Sequence, residues 1–461
     1  MIADELDRWS ADFESFQARF APFFARSEPR EAARRYLRGL LVPVQRKNCW
    51  QMAEAVGHQD PQPLQRLLYS VHWDEDGVRD ELQRFVIERF GDKGGIGVVD
   101  ETGFLKKGTK SVGVKRQYTG TAGKVENSQV GVFLTYFAPG GRTFLDRRLY
   151  LPKEWCADER RRGEARVPNE VTFKTKPELA VEMLEHAWAQ GVPMAWVTGD
   201  ELYGDAPHVR DAIRRGSKGY VLAVSCHTPV WRERPPLEEP GAGGKGRPRS
   251  KPRLAAGAPS WQTVAALIAA QPLDSWQRLV VSEGEKGPLT YDWTRVRVVE
   301  SREGLPGPDG WLLARRSITD ATDIAYYLAN ARQSTSLQTL AEVASARWSI
   351  ETTIEEGKGE TGLDEYEVRY WHSWHRHITL SMMAHAWLAS IRQGAGEKSG
   401  PRTGRAERPR GEATAGDRPA APASFSGPAT GLVSLASSQT ATGSPQSLSA
   451  TWGSLARYRH S

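Results

Sequence analysis

A chain of 461 residues, 39% hydrophobic and 26% charged, has the length and the balance of a globular protein with several buried cores. Its net charge of +6 comes from 62 basic and 56 acidic residues, and residues 393–461 alone hold eight Lys/Arg against four Asp/Glu, so any nucleic-acid surface must be built from local patches. No apolar run reaches the roughly 18 residues of a membrane span, the acidic start MIADELDRWSADFESF is unlike a secretory leader, and three scattered cysteines (Cys49, Cys156, Cys226) argue against a disulfide framework or a cysteine zinc site, which together suit a reducing cytoplasm.

Residues 1–90 read as helical, with FQARFAPFFARSEPREAARRYLRGLL carrying apolar residues at helical spacing. In KNCWQMAEAVGHQDPQPLQRLLYS two short helices flank a tight connection. Ala53 and Val56 face inward, Gly57 ends the first helix, and Asp60-Pro61 starts the second. This is the outline of a helix-turn-helix, which can set a helix in a major groove, although many helical hairpins share it.

From residue 95 the pattern changes. GIGVVDETGF is a short apolar strand ending in acids, and SQVGVFLTYFAPGGRTFLDRRLYLP is two strands around Pro139-Gly140-Gly141. KPELAVEMLEHAWAQG is a helix, MAWVTGDELYG a second strand ending in acids, APHVRDAIRRG a helix and GYVLAVS a strand. This order predicts an α/β domain whose mixed sheet is covered by helices. Residues 232–260 are rich in Pro, Gly and Arg and read as a flexible basic loop. WQRLVVSEGEKGPLTYDWTRVRVVE, WLLARRS and IAYYLAN read as β-structure, while LQTLAEVASARWSIETTIEEGKGETG and WHRHITLSMMAHAWLASI read as helices. Beyond Gln393 small and polar residues dominate, which predicts disorder and leaves two origins open, a natural tail or a frameshifted end. The expected division is therefore 1–90 (helical), 91–225 (first part of the core), 226–330 (β-rich insertion), 331–392 (C-terminal helices of the core) and 393–461 (tail).

The chemistry is expected at carboxylates. Asp100 in VVDETGF and Asp200 in VTGDELYG each end an apolar strand, where functional side chains of α/β sheets converge. Two such acids can bind a hard divalent cation for phosphoryl transfer, or they can simply cap turns. About 150 residues after Asp200, Arg347, Glu351 and Lys358 fall on one helical face beside the apolar pair Ile350 and Ile354. A carboxylate between two cations suits a metal-phosphate site, with Arg347 and Lys358 on phosphates, but also suits ordinary surface ion pairs. Two basic clusters, Lys106, Lys107, Lys110, Lys115 and Arg116, and Lys245, Arg247, Arg249, Lys251 and Arg253, are either phosphate contacts or solvated loops.

These motifs, taken in order, resemble the DDE-superfamily transposases, most of all the insertion-sequence 701 group, which is related to the insertion-sequence 4 group. VVDETGFLKKG carries the first Asp, VTGDELYG the second, and RWSIETTIEEGKGETGLDEYEVRYWHSWHRH the Glu. The related group's signature is Tyr, two residues, Arg, three residues, Glu, six residues, Lys. Arg347, Glu351 and Lys358 match it, whereas Ala344 stands at the Tyr position. The resemblance spans roughly residues 30–392. It implies an α/β fold with a ribonuclease-H-like (retroviral-integrase-like) core, a β-rich insertion and a helical N-terminal DNA-binding domain. It further implies a cut-and-paste transposase in which Asp100, Asp200 and Glu351 are the catalytic and metal residues for two Mg2+ ions, with Mn2+ able to substitute. Arg347, Lys358, Lys106 and Lys107 are the expected DNA contacts. The implied partners are double-stranded DNA, as transposon ends and target, and a second copy forming a homodimer on DNA, at the nucleoid of a bacterial cytoplasm with no membrane association. The rival expectation is a catalytically decayed, transposon-derived DNA-binding protein.

Several residues stay outside the expected triad. Glu101 and Glu201 are possible secondary acids, and Glu355, one turn from Glu351, is its main rival. The cluster Trp371, His372, Trp374, His375 and His377 is assigned to packing or phosphate contact rather than to zinc. Trp348 is assigned to packing, with stacking on an extruded base as the alternative.

Overall fold

The computed structural model describes residues 2–239, 251–284 and 287–398. The chain opens with α1 (Ile2–Arg19), α2 (Ser27–Leu41), α3 (Cys49–Ala55), α4 (Gln62–Tyr69) and α5 (Glu75–Phe90). Local chemistry sets their ends. Asn48 caps α3 by accepting the Gln51 N–H, Gly57 leaves it at φ +83°, and Asp60 accepts the Gln62 N–H at 2.9 Å as α4 begins. Ala53 and Val56 are buried, as their spacing predicts.

Next come β1 (Ile96–Leu105), β2 (Lys115–Thr119), β3 (Lys124–Ala138), β4 (Gly141–Tyr150), α6 (Lys153–Ala157), α7 (Glu159–Glu164) and α8 (Lys176–Ala189). They are followed by β5 (Trp196–Gly199), α9 (Glu201–Gly204), α10 (Pro207–Arg215) and β6 (Gly219–Val224). The β-rich stretch supplies β7 (Pro229–Trp231), β8 (Leu237–Glu238), β9 (Arg253–Leu254), β10 (Gln262–Thr263), α11 (Val264–Ala269), β11 (Gln277–Gly284), β12 (Gly287–Arg302), β13 (Leu305–Ser317) and β14 (Ile324–Asn330). The described chain ends with α12 (Leu337–Ser345), α13 (Trp348–Thr361) and α14 (Trp371–Lys398).

Twelve described strands form one mixed sheet in the order β10-β7-β12-β13-β14-β6-β5-β1-β3-β2, with β4 on β3 and β11 on β12. The parallel strands β1, β5 and β6 lie at its centre, and the other pairs are antiparallel. Strand alternation divides the core. Val98, Phe104 and Phe133 pack with Ile350, Ile354, Trp374 and Ile378 on one face, while Val99, Val132 and Leu134 pack with Met183, Leu184 and Ile213 on the other. Helix α14 packs against β4, α5, α2, α13 and α4, and its middle turns are buried on all sides, which fits a sequence without a polar stripe. Among the described residues no helix is long and apolar enough to cross a membrane.

Three expectations need correction. Asp100 does not end its strand: β1 runs on to Leu105 because the fifteen-residue β3 supplies partners as far as Ser128. It is the parallel neighbour β5 that stops, at Gly199. The β-rich stretch 226–330 adds to the same sheet, since β14 pairs with β6 from Tyr326–Val224 to Asn330–Tyr220. The basic loop 232–260 has a paired base, with Leu237 opposite Leu254 and Glu238 opposite Arg253, while Lys245, Arg247 and Arg249 lie outside the described residues. The tail expected from residue 393 begins as helix, since α14 continues to Lys398, and residues 399–461 lie outside the described residues.

Candidate active site

The last register pair between β1 and β5 is Val99–Gly199, and Asp100 and Asp200 are the next residues on these adjacent parallel strands. The two acids thus follow the last β1–β5 pair side by side. Asp100 stays in the ladder opposite Phe133, whereas Asp200 has left its strand and caps α9. Asp100 Oδ1 accepts the Glu101 N–H at 2.7 Å, and Asp200 Oδ1 accepts the Leu202 N–H at 3.0 Å. Neither carboxylate has an ion pair among the described residues. Burial, then repulsion from Asp200 and Glu101, pushes Asp100 up to about 8. Burial and Glu101 also raise Asp200.

Glu101 faces the opposite side of the sheet from Asp100. Both of its oxygens are taken there, Oε1 by the Lys176 ammonium at 2.6 Å and Oε2 by the Tyr203 hydroxyl at 2.7 Å.

Helix α13 lies along β1, seated by the buried Ile350 and Ile354. Its Arg347 stands at the N-cap over the Trp348 ring, 4.2 Å from the centroid, and donates to Glu351 Oε1 at 2.7 Å. The same guanidinium charge partly offsets the raised values of Asp100 and Asp200. Arg347 therefore connects the carboxylate pair to Glu351, whose side chain is 41% exposed. At the far end of the same face, the Lys358 ammonium donates to Thr102 Oγ1 at 2.9 Å and Thr121 Oγ1 at 3.2 Å, two residues past Asp100 on its side of the sheet.

The structure thus brings Asp100, Asp200 and Arg347 together and holds Glu351 on Arg347. Among the described residues no three Asp, Glu, His or Cys side chains converge closely enough to hold a metal ion.

Of the other expected DNA contacts, Lys106 is spent inside the fold. Its ammonium donates to the Tyr366 carbonyl at 2.9 Å, lies 3.5 Å over the Tyr366 ring, and is pulled down to about 8 by burial. Lys107 is exposed. Lys110 and Lys115 are ion-paired with Glu164 and Glu154. His372, His375 and His377 are anchored to Tyr69 O, Trp371 O and Gly362 O, with Tyr36 also on His377. Glu355 is exposed, whereas the buried acids of α13 are Glu356 and Glu360.

Sequence reasoning missed Tyr203, Lys176 and Glu356. Tyr203 follows Asp200 by three residues, but nothing in the chain pairs it with a glutamate about 100 positions earlier. Glu356 accepts from Arg142 at 2.7 Å and contacts His385 at 3.1 Å and Arg392 at 3.2 Å, and these charges hold its carboxyl down at about 2 despite burial.

Residues 19–288 match the family described as DDE superfamily endonuclease, a stretch that includes Asp100 and Asp200 and ends before α13. Over 169 residues the chain is 31% identical to a protein of Microchaete diplosiphon named "Probable transposase for insertion sequence element IS701". The alignment covers 36% of this chain and 41% of that relative, so the chain matches about two fifths of the relative's length.

Proposed function

The chain belongs to the DDE superfamily endonucleases, and from that premise we propose that it is an insertion-sequence transposase that cuts and rejoins DNA at Asp100, Asp200 and Glu351. The carrying observation is the carboxylate pair at the end of β5: two acids side by side, raised first by burial and then by neighbouring carboxylates, and without an ion pair among the described residues. Such a pair lacks a positive charge, and its all-oxygen donor set suits a hard divalent cation such as Mg2+. Asp100 and Asp200 would hold it, and Glu351 would join them on leaving Arg347. When bound, Mg2+ at two positions would offset charge on the attacking and leaving oxygens of an in-line displacement.

The protein's own residues then have distinct tasks. Arg347, released from Glu351, offers a planar fork to a DNA phosphate beside the carboxylates. Lys358 and the exposed Lys107 add charge along the same approach. Water opens the phosphodiester at a terminal inverted repeat, and the freed 3′-hydroxyl attacks the target strand. The strand order β4-β3-β1-β5-β6, with β1, β5 and β6 parallel, supports a ribonuclease-H-like core. The relative's name supports the transposase reading. In the same reading residues 1–90 bind DNA, 226–330 form an insertion that handles the transposon end, 331–392 complete the core, and two copies act on paired ends at the nucleoid.

The test is excision of a marker flanked by the DNA that borders the gene, with Mg2+, comparing wild type with Asp100→Ala. We expect metal-dependent excision that the variant abolishes, by at least about a thousandfold. Binding of the ends without any cutting by wild type would sink the enzyme reading in favour of a decayed DNA-binding protein.

A further inference from the structure

Asp100 and Asp200 are held very differently. Asp100 sits within a strand hydrogen-bonded on both sides up to Val99 and to β3 beyond it. Asp200 lies past the end of β5, at the cap of the four-residue α9, with no ladder partner. One helical turn is far too short to be stable alone. Its place must come from outside contacts. At its far end Gly204 packs so closely that a Cβ there would lie 1.6 Å from the Ala223 carbonyl oxygen, and Arg210 donates to the Gly204 carbonyl. Between that anchor and Asp200 stands Tyr203, fully buried, whose hydroxyl reaches across to Glu101 at 2.7 Å.

The backbone and this one hydrogen bond close a ring: Asp100 is bonded to Glu101, Glu101 accepts from Tyr203, and the Tyr203 and Gly204 N–H groups fold back on the Asp200 carbonyl at 3.2 and 2.9 Å. Lys176 holds the other oxygen of Glu101 at 2.6 Å from the first turn of α8, which the Thr175–Glu178 capping box fixes. Glu101 is thus no spare ligand, since both oxygens are engaged on the far face of the sheet.

We infer that Tyr203 and Glu101 are positioning residues that set the spacing of the Asp100–Asp200 pair for a divalent cation. The inference rests on the proposed metal site at these carboxylates. Partners one shell outside a metal site commonly change its affinity about 10- to 100-fold. Tyr203→Phe keeps the buried ring and removes only the tether.

The experiment measures Mn2+ affinity of the full chain by titration calorimetry, with thermal unfolding as the check on folding. Wild type should bind Mn2+, Asp100→Ala should not, and Tyr203→Phe should bind about tenfold or more weakly. Glu101→Ala should lose as much, Glu101→Gln should recover part because its amide oxygen still accepts the phenol, and the double variant Tyr203→Phe/Glu101→Ala should lose little more than either alone. Wild-type affinity in folded Tyr203→Phe, or additive losses in the double variant, overturns the inference while leaving the metal site standing. Should Tyr203→Phe not fold, equal affinities in Glu101→Ala and Glu101→Gln overturn it instead. Absence of Asp100-dependent Mn2+ binding in wild type overturns the metal-site reading and the inference with it.

Discussion

Single residues here show how burial turns an ordinary acid into a site or into a strut. Asp100 is partly buried and Glu356 buried, yet one is pushed up to about 8 and the other down to about 2. The difference lies in their neighbours. Asp100 faces other carboxylates, whereas Glu356 faces Arg142, His385 and Arg392. Opposite pH behaviour follows. The Glu356 value is depressed from 4.5, so its stabilisation is complete above about 4.5 and is lost as pH falls toward about 2. Thermal melts of wild type should therefore drop across that interval. Glu356→Gln should lower stability at neutral pH by about 1–3 kcal/mol and flatten the acid limb. Asp100 is raised from 3.8 to about 8, so it costs stability progressively as pH rises across that interval, and the cost is complete above about 8. Asp100→Asn should raise the metal-free melting temperature at pH 9, by about 1–2 kcal/mol in stability, while abolishing excision. An Asn variant no more stable than wild type at that pH would show that the pair is already compensated.

At the scale of elements, the candidate site depends on where one strand stops and where one helix lies. β5 ends at Gly199 while β1 continues, so beyond Val99 only β3 among the described strands pairs with β1 and Asp100 has no ladder partner on the β5 side. The turn that follows is pinned by the close approach of Gly204 to the Ala223 carbonyl. Gly204→Ala should push α9 off that carbonyl, costing about 2 kcal/mol or more and reducing cation affinity more than Ala substitutions in α10 do. Melting curves and Mn2+ titrations on the same preparations check both parts. Helix α13 carries Arg347, Glu351 and Lys358 to β1, and its grip comes from Ile350 and Ile354. Ile350→Ala should cost about 2–4 kcal/mol in denaturant unfolding. Much of this was legible in the chain: the apolar pair, the helical face and the position of Asp200 just past its strand follow from periodicity, whereas the continuation of β1 past Asp100 did not. That Lys106 turns inward to Tyr366 was not legible, because its partner lies 260 residues away.

Across the whole molecule, the sheet continues from β2 to β10 without a break among the described strands, so the β-rich stretch and the central strands share one ladder. A second link is ionic: Glu300 of β12 accepts from Arg210 at 2.9 Å and Arg214 at 2.6 Å, both on α10, and from the Tyr220 hydroxyl of β6 at 2.8 Å. Removing one partner of a buried pair leaves a charge stranded, so Glu300→Ala should cost about 3–5 kcal/mol. Calorimetry should show a single transition for the sheet in wild type; separate transitions for residues 226–330 and the remainder would contradict one cooperative ladder. The sequence by itself determined the kinds of the main elements, their order, the apolar runs that lead to Asp100 and Asp200, and the helical face of Glu351. These depend on nearest-neighbour chemistry and periodicity, which a single chain displays. Only the tertiary structure decided which strand ran on past its acid, which lysine was free, and that Tyr203 and Glu101 join the two motifs. Those outcomes depend on pairings between residues far apart in the chain, and burial gives them their strength only after the sheet has closed.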